Sequence, residues 1–301
     1  MRLKMLLSVV VAAAFTAGPA LAQDLTGTLK KIKDTGAITL GHRESSVPFS
    51  YYDDKQQVVG YAMDLCGRIV EGVKNELKLA TIETKLNPVT SATRIPLIAN
   101  GTVDLECGST TNNLERQKQV WFTITHFVTA NRFVSKKSAN LKTVDDLKGK
   151  TVVSTSGTTN IKQITEIGAQ KGLNLNILAA KDHAEAFLMV ETGRAAAFVM
   201  DDILLYSLVA GSKAPQDYVI SADALSVEPY GIMLRREDAP FKKVVDEAMI
   251  ATYRSGAIYP IYEKWFLKPI PPRGINLNVP MSDAFKKVIA SPTDSGDPAV
   301  Y

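Results

Sequence analysis

The sequence is short of cysteine, of histidine and of net charge. Its 301 residues hold two cysteines, Cys66 and Cys107, and three histidines. The histidines, His42, His126 and His183, are scattered, and no Cys/His spacing matches a zinc site. No serine stands in a Gly-x-Ser-x-Gly elbow. "GKT" at 149–151 looks like the end of a phosphate loop, but Val144 occupies the position where that loop needs glycine, and the triplet precedes a strand. No basic stripe with interleaved aromatics is present, which argues against nucleic acid as a partner. Enzymatic machinery is not visible, and no motif calls for a cofactor or metal. One cysteine pair in a chain this long is no framework; a disulfide and two buried thiols both fit.

The one long apolar stretch is at the start. Arg2 and Lys4 precede Met5–Phe15, and Ala20-Leu21-Ala22 is the small-residue pattern cut by signal peptidase. Residues 1–22 therefore read as an export leader cleaved after Ala22. The stretch is too short for a lasting membrane span, and no cysteine stands at the junction to carry a lipid. Of 35 Lys and Arg, two leave with the leader, so 33 face 31 Asp and Glu. About 280 mature residues suffice for two domains of ordinary size.

Strand and helix patterns alternate along the mature chain. Met63–Leu77 has helical apolar spacing, and Thr90 or Ser91 caps a short helix ending at Asn100-Gly101. Val103–Cys107 is the next strand, followed by the polar loop "GSTTNN" and a helix from about Leu114. A strand at Thr151–Ser154 runs into "TSGTTN". A helix over His183–Thr192, then Gly193, leads to a strand at Ala196–Met200 and Asp201-Asp202. Pro240–Phe266 reads as helical, and "SPTDSGDPAVY" as a disordered tail from about residue 291. This alternation predicts α/β architecture with mainly parallel sheets. The recurrence of "helix, Asn100-Gly101, strand, polar loop" as "helix, Thr192-Gly193, strand, Asp-Asp" suggests two similar units. Ligands of open α/β sheets sit beyond the C-terminal ends of strands. The loops at 41–46, 108–113, 155–160 and 201–202 are therefore the candidates, and all are polar.

"GSTTNNLERQKQVWFT" resembles the signature stretch of the polar-amino-acid-binding proteins of ABC transporters. "VPFSYYDDKQQVVGYAMDLCGRI" is similar to that family's opening, "VSTSGTTN" to its second anchoring loop, and "AAAFVMDD" to its strand ending in Asp. The likeness runs from about Leu29 to Ile270. Within the family, "GHRESSVPFSYY" and "ECGSTTNN" look most like the glutamate/aspartate-binding proteins.

The resemblance implies a two-lobe periplasmic-binding-protein fold of type II that closes by hinge bending. Lobe one would comprise residues 23–130 and 228–301, and lobe two residues 131–227, with hinges near Val128–Asn131 and Val227–Tyr230. It also implies roles. Arg116, with the amides of Thr111 and Thr159, would hold the ligand's α-carboxylate. Asp201, the Thr111 hydroxyl and the Ser109 carbonyl would hold the α-ammonium, with Asp202 as a helix cap. Arg43, Ser91, Arg94 and His183 would surround a side-chain carboxylate. Three arginines against Asp201 give a pocket of net charge +2. A neutral ligand would leave that excess unpaired, at several kcal/mol per buried ion by rough estimate.

The expected function is a periplasmic, monomeric receptor that delivers L-glutamate or L-aspartate to an ABC permease without chemistry. The alternatives are a receptor for glutamine or another polar amino acid, a cyclohexadienyl-dehydratase-like enzyme with Glu44 as its general acid, and a fused sensor module.

Overall fold

The structure, a computed structural model, describes residues 25–301. The predicted leader and its cleavage point lie outside the described residues. In chain order the elements are α1 (Gly27–Thr35), β1 (Ala37–His42), β2 (Ser45–Ser46), β3 (Ser50–Tyr52), β4 (Val58–Val59), α2 (Tyr61–Glu76), β5 (Glu83–Pro88), α3 (Arg94–Ala99), β6 (Leu105–Cys107) and β7 (Val120–Phe122). Then follow β8 (Phe127–Lys136), β9 (Thr151–Thr155), α4 (Thr159–Gln170), β10 (Asn176–Ala180), α5 (His183–Glu191), β11 (Ala197–Asp201) and α6 (Asp202–Ala210). The chain ends with β12 (Tyr218–Ile220), β13 (Ser226–Tyr230), β14 (Met233–Arg235), α7 (Ala239–Arg254), α8 (Ile258–Phe266) and α9 (Asp283–Ala290).

Two sheets organise two lobes. The first has the order β5-β1-β6-β14-β7; β5, β1 and β6 are parallel, and β14 runs antiparallel to β6 and β7. The second has the order β10-β9-β11-β8-β12; β10, β9 and β11 are parallel, whereas β8 is antiparallel to β11 and β12. The sheets are thus mixed, with a parallel trio in each. The suggested echo is real in the backbone. Gly101 and Gly193, at φ of +78° and +76°, turn the chain out of α3 and α5 toward β6 and β11. That left-handed conformation is open to glycine at little cost.

The chain passes between the lobes twice, along β8 and β13, and these strands pair antiparallel from Tyr230↔Phe127 to Ser226↔Asn131. Each segment therefore supplies the other's backbone partners. At their lobe-one end, Phe127 and Tyr230 join a buried aromatic cluster with Phe49 and Phe266; the Phe49–Phe127 centroids lie 5.1 Å apart and Phe127–Phe266 4.9 Å. Such pairs anchor the crossing by both area and ring geometry.

Cys66 on α2 and Cys107 at the end of β6 form a disulfide, which decides the open question about the two thiols. Closing a loop with a sequence separation of 41 restricts the unfolded chain by about 4 kcal/mol in the entropic model. The bond also fixes β6 immediately before the loop that opens at Gly108.

The helical stretch Pro240–Phe266 is two helices, α7 and α8, separated by a turn at 255–257. Two expectations need correction. The stretch after Leu114 is only a 3-10 turn over Arg116–Lys118, opened by a bond from the amide of Arg116 to the Asn113 side-chain oxygen at 2.8 Å. The tail from residue 291, expected to be disordered, is laid against lobe one. Thr125 donates its amide to the Thr293 carbonyl at 2.8 Å, Asn112 donates to the Asp294 carbonyl at 2.8 Å, and Tyr301 meets the Thr125 hydroxyl at 2.7 Å. Composition alone misled there: the polar tail is held by backbone carbonyls, which every residue carries.

Candidate binding site between the lobes

In the first sheet the C-terminal ends of β5, β1 and β6 lie side by side, and the chain leaving them carries Ser91 and Arg94, Arg43, and Ser109–Thr111 respectively. In the second, the ends of β10, β9 and β11 lead to His183, to Thr158–Asn160 and to Asp201. Six strand ends thus face one another across the lobes. The register places Arg43 in the middle of its trio, since β1 is flanked by β5 and β6.

A narrow cavity of about 10 Å³ lies there, lined by Ser91, Arg94, Ser109, Thr111, Thr158, Thr159, Asn160, His183, Met200, Asp201 and Leu204. Of the sequence-predicted residues, seven line it directly. Arg43 and Arg116 stand behind that lining. Arg43 is 2% exposed and donates from Nη2 to the Ser91 hydroxyl at 2.8 Å, while its own amide bonds the Ser50 hydroxyl at 2.8 Å. Arg116 is buried and donates from Nη1 to the Thr111 carbonyl at 2.8 Å and from Nη2 to the Gly157 carbonyl, in the other lobe, at 3.2 Å.

Several buried polar atoms around this cavity have no hydrogen-bond partner among the described residues: Nη1 of Arg43, Nε of Arg94, Oγ of Ser109 and Nε2 of His183. Buried donors are nearly always paired in native proteins, so a cluster of unpaired ones marks a place that receives acceptors from outside. Burial weakens the hold of all three guanidiniums on their protons. Arg43 and Arg116 fall to about 10, mainly from burial and then from the charge of Arg94; Arg94 is lowered too, again by burial first. An acidic ligand would reverse that trend by restoring an opposite charge.

His183 contributes a neutral ring. Burial, then Arg43 and Arg94, push its pKa well below the usual value, so the ring is neutral. Its Nδ1 meets the Thr155 hydroxyl at 2.8 Å. A neutral ring that accepts there carries its proton on Nε2 and offers one N–H to the cavity. Asp201 is buried, and its carboxylate accepts from Asn160 at 2.7 Å and from the hydroxyl of Tyr230. Burial, and then the charge of Glu228, raise its pKa. Asp202 is not the expected helix cap. It is the first residue of α6, and its carboxylate binds Arg132 at 3.1 Å and the Thr129 hydroxyl. Ser91 is no cap either; Thr93 holds that position before α3.

Sequence reading missed Thr158, Asn160, Met200 and Leu204, although the first two sit in the quoted "TSGTTN" loop. It also missed two buried acids. Glu106 on β6 is fully buried, and its carboxylate accepts from the Thr110 hydroxyl at 2.6 Å. Glu228 on β13 accepts from the Thr159 hydroxyl at 2.9 Å and from Gln163 at 2.7 Å. The expected net charge of +2 counted only Asp201. With Glu106 and Glu228 included, three arginines face three carboxylates. A charged residue between the apolar Leu105 and Cys107 of β6 was the available signal for Glu106. Glu44, the candidate general acid, is exposed and faces a different cavity with Tyr52, Phe187 and Pro271.

The model for bacterial extracellular solute-binding proteins, family 3, matches residues 38–268. The chain belongs to that family. Among family 3 relatives, the L-glutamate/L-aspartate-binding protein of Pseudomonas aeruginosa is 55% identical, with 96% of each chain covered. The glutamate/aspartate import solute-binding protein of Escherichia coli is 45% identical over 98% of this chain and 99% of its own. Among solved structures, holo ArgBP from T. maritima matches with a TM-score of 0.67 at 28% identity, over 78% of this chain and 98% of that one. The two-lobe α/β fold is therefore the family 3 fold. Among the described residues no group of three or more His, Cys, Asp or Glu could hold a metal. No described helix is long and apolar enough to cross a membrane.

Proposed function

We propose that this protein is a periplasmic receptor for L-glutamate and L-aspartate, which closes around the amino acid and hands it to the permease of an ABC importer. The observation that carries this reading is the set of unpartnered buried donors on Arg43, Arg94, Ser109 and His183 around one interlobe cavity, with the buried Asp201 carboxylate among them. Donors in excess at one end and an acceptor at the other suit an amino acid that carries two carboxylates and one ammonium. The named ligands of the two relatives support the same chemistry.

In this reading Arg116 and the amides of Thr111 and Thr159 bind the α-carboxylate. Asp201, the Thr111 hydroxyl and the Ser109 carbonyl bind the ammonium. Arg43, Ser91, Arg94 and His183 bind the side-chain carboxylate. Residues 23–130 with 228–301 move as one lobe and 131–227 as the other, flexing at 128–131 and 227–230. The leader is cut after Ala22, and the mature receptor works as a monomer with no nucleic-acid partner. No covalent step occurs, because ligand binding energy selects the closed state. The dehydratase alternative loses its acid, since Glu44 lies outside the cavity.

Calorimetry of the mature protein against a panel of amino acids, with prephenate as a separate substrate, tests the reading. Tight binding of glutamate and aspartate is expected, with a higher melting temperature in their presence; a hundredfold excess over Kd corresponds to about 2.7 kcal/mol. Glutamine bound as tightly as glutamate would make it a general polar-amino-acid receptor. An aromatic product from prephenate would make it an enzyme.

A further inference from the structure

The three arginines of the site differ in one respect. Arg94 has a carboxylate of this chain beside it: its Nη1 lies 4.0 Å from Oε1 of Glu106 and also contacts the Thr110 hydroxyl, which donates to Oε2 of Glu106 at 2.6 Å. Both partners are buried, at 3% and 0% exposure. Among the described residues, Arg43 and Arg116 have no carboxylate within 4.0 Å. Their bonds go to the Ser91 hydroxyl and to two backbone carbonyls. Asp201, in turn, has no cation within that distance among the described residues and is held by Asn160 and Tyr230.

We propose that Glu106 is a specificity-determining counter-ion: it cancels Arg94 and leaves Arg43 and Arg116 without a carboxylate beside them and Asp201 as the carboxylate on the cavity wall, where Glu228 does not reach, a set that suits an amino acid with two carboxylates and one ammonium. The proposal rests on the receptor reading above and refines it. Arg94 then serves the ligand through its unpartnered Nε–H as a neutralised donor, while Arg43 supplies the positive charge that a side-chain carboxylate meets.

The local packing fits a fixed, internal role. Glu106 stands on β6 beneath its own loop, and a Cβ on Gly108 would come 2.3 Å from Glu106 Oε1 and 3.1 Å from Arg43 Cγ. The loop bearing Ser109–Thr111 therefore packs down onto the acid with room only for glycine. The carboxylate touches the arginine through Thr110, so the relay between Glu106 and Arg94 is built into the loop that binds the ligand. A carboxylate in this position also limits the charge of the guest. Without it three guanidiniums would face two carboxylates, Asp201 and Glu228, and the site would favour acidic guests over neutral amides more strongly.

Calorimetry with L-glutamate and L-glutamine on the wild-type protein, Glu106→Gln, Glu106→Asp and the double variant Arg94→Gln/Glu106→Gln tests this. Gln keeps an acceptor for Thr110 and removes only the charge. The ratio of glutamate to glutamine affinity is expected to rise at least about tenfold in Glu106→Gln, to stay near wild type in Glu106→Asp, and to return toward wild type in the double variant. If Glu106→Gln does not fold, Thr110→Val breaks the relay with all charges kept, and the same ratio is expected to rise by a smaller factor. Equal weakening of both ligands would reduce Glu106 to a structural residue and overturn the proposal, as would an unmoved ratio in the folded variants. A wild-type protein that binds neither glutamate nor aspartate would overturn the receptor reading itself, and this refinement with it.

Discussion

Arg116 donates from Nη2 to the carbonyl of Gly157 across 3.2 Å, so the loop after β6 in one lobe touches the loop after β9 in the other. The same guanidinium is steadied from behind by the Thr111 carbonyl at 2.8 Å. Nearby, Lys162 of α4 reaches Glu115 at 2.5 Å across the same boundary, although a pair so exposed contributes little. The lobes are closed on each other, and the α-carboxylate arginine of the proposed site is also part of the latch.

Arg43→Met should weaken glutamate and aspartate by more than a hundredfold, the range expected when a buried charge loses its partner at about 3–5 kcal/mol. The melting temperature of the ligand-free protein should hold or rise. Arg43 is buried without a carboxylate beside it, and Met fills similar volume with no charge to desolvate. Calorimetry and a thermal melt on the same preparation check both halves. A drop in melting temperature with unchanged affinity would make Arg43 a structural residue.

Gly157→Ala should impair closure rather than folding. Gly157 sits at φ +76°, and a Cβ there would come 2.6 Å from Ala92 Cα and 2.7 Å from the Ser91 carbonyl in the opposite lobe. Those neighbours are backbone, so the lobes must part to accept the methyl group. The left-handed conformation adds about 1–2 kcal/mol of its own. Weaker ligand binding and a smaller ligand-induced contraction in solution scattering are expected. Gly67→Ala, on α2 where nothing lies within 4 Å of the new atom, is the matched control and should leave binding intact.

Affinity should rise with pH through the titration of Asp201. Burial and the charge of Glu228 hold its carboxyl above the ordinary Asp value in the ligand-free chain, and a bound ammonium favours the ionised form. Binding therefore releases a proton between the bound and free pKa values, and affinity climbs across that window before levelling off above it. The folding balance has the opposite sign. The unfolded chain ionises first, at about 3.9, so this group subtracts stability as pH rises from there toward its folded value. Asp201→Asn should flatten the pH profile of binding and raise the ligand-free melting point near neutrality. A profile unchanged in the variant would assign the titration to another group.

The loops that form the site could be picked out because their chemistry is local. A polar, Gly/Ser/Thr-rich segment at the end of an apolar run is a strand end in an α/β fold, whatever lies across from it. The loops at 41–46, 108–113, 155–160 and 201–202 were legible on that ground, whereas Arg43, Ser109, Thr111, Thr159 and Asp201 were singled out within them by the family resemblance. The arginines' partners were not. Glu106 pairs with a residue on a different element, and Glu228 reaches Thr159 from a strand 69 residues away in sequence. Charge counting along the chain cannot tell which acids share a dielectric with which bases. The tail failed for a related reason, since its anchors are carbonyls that have no signature in composition.

The sequence by itself determined the alternation of strand and helix, the polar loops at the strand ends and the residue types that a zwitterion requires, because periodicity and turn chemistry act over a few neighbouring residues. Only the tertiary structure decided that Cys66 meets Cys107, that His183 is buried neutral and that Glu106 lies beside Arg94. Charge state and pairing depend on burial and on distance through space, and neither is a property of neighbours along the chain.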